Sequence, residues 1–248
     1  MAEIIFAGSG SGFLSERRRP SAILIESGDD SLLLDCGDGA SRSILAAGKD
    51  PAETGGLAIT HMHPDHSGGF PFFMQTLHLR KRENPFKLFL PPEALDFALE
   101  LLTRSYIFPE RLGFPLEVLP LEDGLKRILG EIEITPVANR HLTLHQEALA
   151  RHPELEGQAF SLALELEGKR IVYSSDICDL EDLRKATSGG GELLICEAMH
   201  IEPGELEKAV PAGSFNRVVF THIPDEREGP LRRRGDYLWA VDGLRLVV

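Results

Sequence analysis

The strongest constraint on this chain is the stretch Thr60-His61-Met62-His63-Pro64-Asp65-His66-Ser67-Gly68-Gly69. Four candidate metal ligands, His61, His63, Asp65 and His66, fall within six positions. The apolar, partly β-branched lead-in, Leu57-Ala58-Ile59-Thr60, predicts a buried strand over 57–60. Alternate residues of an extended chain point the same way, so His61 and His63 can close on one ion while Met62 turns to the core. Pro64 disfavours helix at His63 and permits a turn there. Asp65 and His66 then lie beyond the turn, within reach of a second ion. Imidazoles with a carboxylate suit zinc, and iron or manganese almost as well. A polar loop with chance histidines is the bland alternative, and it does not account for such density directly after a strand.

Other apolar runs also stop at candidate ligands. The run over 131–137 ends just before His141, the run over 169–174 before Asp176, and the run over 217–220 before His222. Strand ends along one sheet edge are where open α/β architectures place ligands. His145, four residues after His141, is the rival ligand; His141 is preferred because it directly follows the strand. His78 falls on an expected helix and His152 on an expected surface, so both are set aside.

Composition narrows the partners. The 248 residues include 26 basic and 39 acidic side chains, for a net charge of −13. Such a surface repels bulk polyanions and anionic membrane, so anions must be attracted locally. The basic clusters Arg17-Arg18-Arg19, Arg80-Lys81-Arg82 and Arg232-Arg233-Arg234 read as solvated loops, with a cleft lining as the alternative. Cys36, Cys178 and Cys196 are widely spaced and odd in number, which predicts free, mostly buried thiols in a reducing compartment. No run resembles a signal peptide or a membrane span, so a cytoplasmic protein is expected.

Taken in order, the chain predicts strands over 3–7, 22–26 and 32–35, a helix over 39–47 capped by Asp38, and a helix over 70–79. A strand over 87–90 and a helix over 93–104 follow, then a loop over 106–115 that could form one wall of a cleft. Hairpins are expected over 125–137 and 160–174, turning at Gly130 and Gly168. Short helices over 179–185 and 204–210 alternate with strands over 192–196 and 217–220, and two strands over 237–241 and 244–248 close the chain. The glycine run Gly8-Ser9-Gly10-Ser11-Gly12 reads by itself as a flexible turn.

The spacing of the histidine loop, with Thr60 before it and Gly68-Gly69 after it, resembles the His-x-His-x-Asp-His signature of the metallo-β-lactamase superfamily. The opening Phe6-Ala7-Gly8-Ser9-Gly10-Ser11-Gly12, Arg19-Pro20-Ser21 and Leu34-Asp35-Cys36-Gly37-Asp38-Gly39 is similar to its ribonuclease Z-like branch, which includes phosphodiesterases. So are Ser174-Ser175-Asp176, Thr221-His222 and the closing Ala240-Val241-Asp242-Gly243. The resemblance implies a single domain over 1–248 with the four-layer αββα metallo-β-lactamase-like sandwich, an α/β fold. It implies two zinc ions: His61, His63 and His141 on the first, Asp65, His66 and His222 on the second, Asp176 bridging both. Asp35 matches an aspartate that supports the loop without touching metal.

A structural zinc site is closed by four protein ligands, whereas seven ligands shared by two ions leave room for an activated water. The resemblance thus implies a zinc hydrolase of a small phosphodiester, with Asp65 orienting the attacking hydroxide and Glu197 or His200 protonating the leaving group. A hydrolase of a carboxylic ester, lactone or sulfate ester, and a non-catalytic metal-binding protein, are the alternatives. The interval between His141 and Asp176 leaves no room for the protruding arm of tRNA-processing relatives. With the net charge, that points to a small anionic ester substrate, no membrane partner and no stable nucleic-acid binding, with a homodimer possible.

Overall fold

The computed structural model describes residues 1–227 and 237–248; the Arg232-Arg233-Arg234 triplet lies outside the described residues. The first half runs β1 (Glu3–Gly8), β2 (Ala22–Ser27), β3 (Asp30–Leu34), α1 (Ala40–Ala46), β4 (Gly56–Ala58), α2 (Pro64–Ser67), α3 (Phe70–Leu79), β5 (Phe86–Leu90), α4 (Leu95–Arg104) and β6 (Leu116–Pro120). The second runs β7 (Arg127–Leu129), β8 (Ile132–Asn139), α5 (Gln146–Leu149), β9 (Ala159–Leu166), β10 (Lys169–Tyr173), α6 (Leu180–Thr187), β11 (Gly191–Glu197), α7 (Leu206–Ala209), β12 (Phe215–Thr221), β13 (Leu238–Trp239) and β14 (Leu244–Val247).

Among the described residues these strands make two mixed sheets. One has the order β14-β1-β2-β3-β4-β5-β6, the other β13-β12-β11-β10-β9-β8-β7. The period-2 alternation of side chains sorts each strand between two cores. Ile4 and Phe6 of β1 face Leu162, Leu164, Ile171 and Ile195 of the opposite sheet in one buried cluster. Ile5 and Ala7 face outward and join Ile44, Phe73, Met74 and Leu102 beneath α1, α3 and α4. On the other side Val172, Leu194 and Phe220 pack under Leu183 and Ala186 of α6 and Leu206 of α7. The result is the expected helix–sheet–sheet–helix layering. The last two strands split: β14 pairs with β1 and β13 with β12, so the C-terminal segment joins both sheets.

Most elements fall where hydropathy put them, and two departures have physical causes. Helix α1 starts from Gly39 in a left-handed conformation with no side-chain cap, so Asp38 does not cap it. The strand β6, unanticipated, is a half-exposed edge strand between Pro115 and Pro120, without an apolar alternation to reveal it. The 106–115 loop does form one wall of a cleft, together with His78 and Leu79 of α3.

The two described basic triplets are not simple solvated loops. Arg18 is buried and donates to Ser9 Oγ at 2.7 Å and to the Ala240 carbonyl at 2.6 Å. Arg82 is buried, donating to the carbonyls of Ala52, Asn84 and Pro85 and lying over the Phe86 ring. Each triplet therefore holds one structural arginine, with its charge met by main-chain oxygens. Cys36 and Cys196 are buried and Cys178 is half-buried, all as free thiols. No helix among the described residues is long and apolar enough to cross a membrane.

Candidate metal centre

Six strand ends meet at one edge of the sandwich. Parallel pairing aligns β3 with β4 in one sheet and β10, β11 and β12 in the other. β8 and β10 are both antiparallel to β9, so their C-terminal ends share that edge. From β4 the chain passes through His61 to His63, which is N-terminal to α2, with Pro64 in its first turn. Asp65 and His66 therefore sit on a single helical turn.

The loop is sewn to its surroundings by main-chain bonds. Ser21 N–H donates to the Asp65 carbonyl, Cys36 N–H to the His66 carbonyl and Phe160 N–H to the Thr60 carbonyl. Close packing explains the glycine run. A Cβ at Gly8 would lie 1.9 Å from the Pro20 carbonyl, and one at Gly12 would lie 2.9 Å from Asp65 Oδ2. The run is thus a close-approach segment over the site and more than a flexible turn.

Asp35 is buried behind the loop with a left-handed backbone, φ 57°. Its Oδ1 accepts from Thr60 N–H at 2.8 Å and from Thr60 Oγ1 at 2.9 Å. Its Oδ2 accepts from Tyr173 OH at 2.8 Å and lies 2.7 Å from His66 Nδ1. With Nδ1 committed to this carboxylate as donor, Nε2 is the His66 nitrogen left facing the cluster, the one a cation would meet on displacing its proton. Ser175 and His222 also have positive φ, 49° and 54°, at the ends of β10 and β12. Non-glycine residues adopt that conformation at a cost, and it concentrates where a side chain must be aimed.

Two groups of donors result. Ligand-type atoms of His61, His63, His141 and Asp176 lie within 4.8 Å of one another, as do those of Asp65, His66, Asp176 and His222. His63 Nδ1 is 3.1 Å from His61 Nε2 and 3.2 Å from His141 Nε2. Asp176 Oδ1 is 3.3 Å from His66 Nε2, and its Oδ2 is 3.3 Å from His222 Nε2. Tetrahedral zinc with bonds near 2.05 Å would set its ligands about 3.3 Å apart. The donor spacing and chemistry therefore fit such an ion in each group. Asp176 Oδ1 and His66 Nε2 are buried and have no hydrogen-bond partner among the described residues, as expected of atoms built to meet a cation. His145 is exposed and outside both groups, so the geometry places His141 in the cluster; His78 and His152 are exposed too.

Burial pushes His61 well below the usual histidine range and lowers His63 and His141, the last to about 4, which keeps these rings neutral. Burial opposes charge on His66 as well, but the Asp176 and Asp35 carboxylates outweigh it and hold His66 well above that range. Burial also disfavours the Asp176 anion, yet His222 and His66 hold its carboxyl well below the usual range.

Two positioning residues, Asn139 and Asp182, carried no signal in the sequence. Asn139 accepts from His141 N–H at 3.0 Å and donates to the Asp176 carbonyl at 3.1 Å, linking two strand ends. Asp182 of α6 accepts from Arg140 and from Cys178 N–H, the neighbours of those two residues. Glu197 is fully buried: its Oε2 accepts from Met199 N–H at 2.6 Å and His200 N–H at 2.7 Å, and its Oε1 is 3.4 Å from His200 Nδ1. His200 Nδ1 lies 4.0 Å from Asp176 Oδ2, and its side chain is 30% exposed. Of this pair, only His200 combines nearness to the cluster with access. The Glu197 carboxylate, facing His200 Nδ1 as an acceptor, is the main cause that raises the His200 pKa.

Comparisons with known proteins agree on the family. The profile of the family described as "Anti-Pycsar protein Apyc1" matches residues 2–193. A ribonuclease Z of Methanosarcina mazei is 30% identical over 90% of this chain and 88% of that protein. A ribonuclease Z of Bradyrhizobium sp. is 31% identical over 57% of this chain, and the match spans 46% of that enzyme. In structure, human tRNase Z, short form, superposes with a TM-score of 0.72 at 18% identity, covering 99% of this chain and 98% of that one, which shows a shared fold.

These relatives overturn one expectation. A small anionic ester as substrate, with nucleic-acid binding excluded, conflicts with relatives named for RNA substrates. The inference failed because a net charge of −13 averages over the whole surface, while binding of an anion is decided at the cluster. On sequence and fold together, the chain belongs to the metallo-β-lactamase superfamily, in its ribonuclease Z-like branch, and to the family described as "Anti-Pycsar protein Apyc1".

Proposed function

We propose that this chain is a metal-dependent phosphodiester hydrolase, formed as one domain over 1–248, whose resident ions are two zinc ions. The observation that carries the reading is the pair of donor groups sharing Asp176, whose donor atoms all lie within 4.8 Å of one another in each group and approach as closely as 3.1 to 3.3 Å. His61, His63 and His141 would hold one ion, Asp65, His66 and His222 the other, and Asp176 both. Divalent ions bound there would polarise phosphoryl oxygens and lower the pKa of a coordinated water.

The remaining work belongs to side chains of the protein. Asp65, half-buried beneath Gly12, is a second carboxylate at the cluster and would orient the attacking water. His200 would give a proton to the leaving oxygen, kept charged by the buried Glu197 carboxylate behind it. Glu197 acts through His200 and is therefore a positioning residue.

Relatives named ribonuclease Z favour a phosphodiester over a carboxylic ester, lactone or sulfate ester. Zinc-loaded and chelator-treated protein should be assayed on bis-p-nitrophenyl phosphate, a cyclic nucleotide, an RNA oligonucleotide, a lactone and an aryl sulfate. The expected outcome is turnover of at least one phosphodiester that chelation abolishes. Turnover confined to the lactone or the sulfate would contradict the proposal.

A further inference from the structure

Beside His63 opens a cleft of about 780 Å³ whose walls come from two distant parts of the chain. Met62 and Phe97 form one side; Leu142, Leu149 and Leu155 form the other. The second side is the segment 141–157 between β8 and β9, which contains only a five-residue 3-10 stretch and the four-residue α5. A segment so short and so exposed has little packing of its own to hold it. Its anchor is Glu93, in the turn before α4. Glu93 Oε2 accepts from Glu156 N–H and, at 3.0 Å, from Gly157 N–H, while Oε1 accepts from Gln158 N–H at 3.0 Å. Gln158 Oε1 answers by accepting from Glu93 N–H at 3.1 Å. Gly157, at φ 71°, brings the chain so close to Leu149 that a Cβ there would lie 2.8 Å from its Cδ1. One carboxylate thus clasps three successive amides and seats the leucine wall.

The chemistry of the cleft is specific. Its walls are mostly apolar, its polar lining includes Glu93, Asp96, Glu154, His145 and His152, and among the described residues lining it none is lysine or arginine. Such a surface repels a second phosphate and welcomes an uncharged flat group. Resting on the phosphodiester reading of the adjacent cluster, we infer that this cleft binds the uncharged, flat apolar-faced group, an aryl or nucleobase ring, attached to the scissile phosphate. Glu93 is the positioning residue that keeps its wall in place. Selectivity among phosphodiesters then depends on a carboxylate that touches neither the ions nor the phosphate.

Non-hydrolysable probes test this without turnover. Zinc-loaded protein is titrated calorimetrically with phenylphosphonate and with methylphosphonate, which share the anionic head and differ in the ring. Wild type should bind phenylphosphonate at least about tenfold more tightly. Glu93→Ala and Leu149→Asp should each bring the ratio near one while the methylphosphonate affinity stays within about twofold. Glu93→Gln, which keeps one acceptor oxygen, should recover part of the preference. Amides 156–158 should exchange hydrogen faster in Glu93→Ala than in wild type. Methylphosphonate binding with no phenyl preference, or a preference unmoved in both Glu93→Ala and Leu149→Asp, would overturn the inference and leave the hydrolase reading standing. Failure of both phosphonates to bind would instead strike the anion-binding cluster on which both rest.

Discussion

Asp35 shows how much one side chain contributes away from the reacting atoms. Its carboxylate is buried, and Thr60, His66 and Tyr173 all converge on it. Removing it leaves a buried amide N–H, a phenol and an imidazole without their acceptor. Asp35→Ala should therefore cost about 3 kcal/mol or more of stability in metal-free protein. Urea denaturation measures it, and a loss below about 1 kcal/mol would show that the network relaxes without its centre. The residue-level part of the site that was legible in the sequence is the part that is local. His61, His63, Asp65 and His66 announce themselves because four donors sit within one turn of chain after a strand. Glu197 and His200 were legible as a pair, but not in their division of labour, because burial decides which of the two has access.

At the scale of elements, the site depends on keeping strand ends in step. Asn139 spans from His141 N–H to the Asp176 carbonyl, while Asp182 on α6 ties down Arg140 and Cys178. Neither residue is expected to contact an ion. Outer partners of metal ligands are worth about 10–100-fold in affinity. Asn139→Ala should weaken zinc binding within that range while the circular dichroism spectrum stays unchanged; a competition titration against a chromophoric chelator reads the affinity, and an unaltered value would remove Asn139 from the account. These residues could not be found in the sequence. Each depends on a partner 37 or 42 positions away, and nothing local distinguishes it from a surface polar residue. The edge strand β6 was hidden for a different reason: its side chains are half-exposed, so the hydrophobic alternation that reveals a strand is absent. The long core strands, buried on both faces, had no such difficulty.

Over the whole molecule, the cluster is where the two halves meet. The first sheet contributes His61, His63, Asp65 and His66 from beyond β4; the second contributes His141, Asp176 and His222 from β8, β10 and β12. The layered fold was legible through the resemblance carried by the motifs, and the apolar strands with helices in each half agree with it. The partner class was misread because net charge is a property of the whole surface and does not report the local field at one edge. Ions held between the sheets would join them, so metal binding, folding and hydrolysis should rise together. The most direct test is to titrate zinc into metal-free protein and follow phosphodiester hydrolysis, with bound metal counted by elemental analysis. The account predicts that activity climbs until two ions are bound per chain, and that Asp176→Ala neither holds two ions nor turns over substrate. Full hydrolysis without metal, or two ions retained in Asp176→Ala, would contradict it.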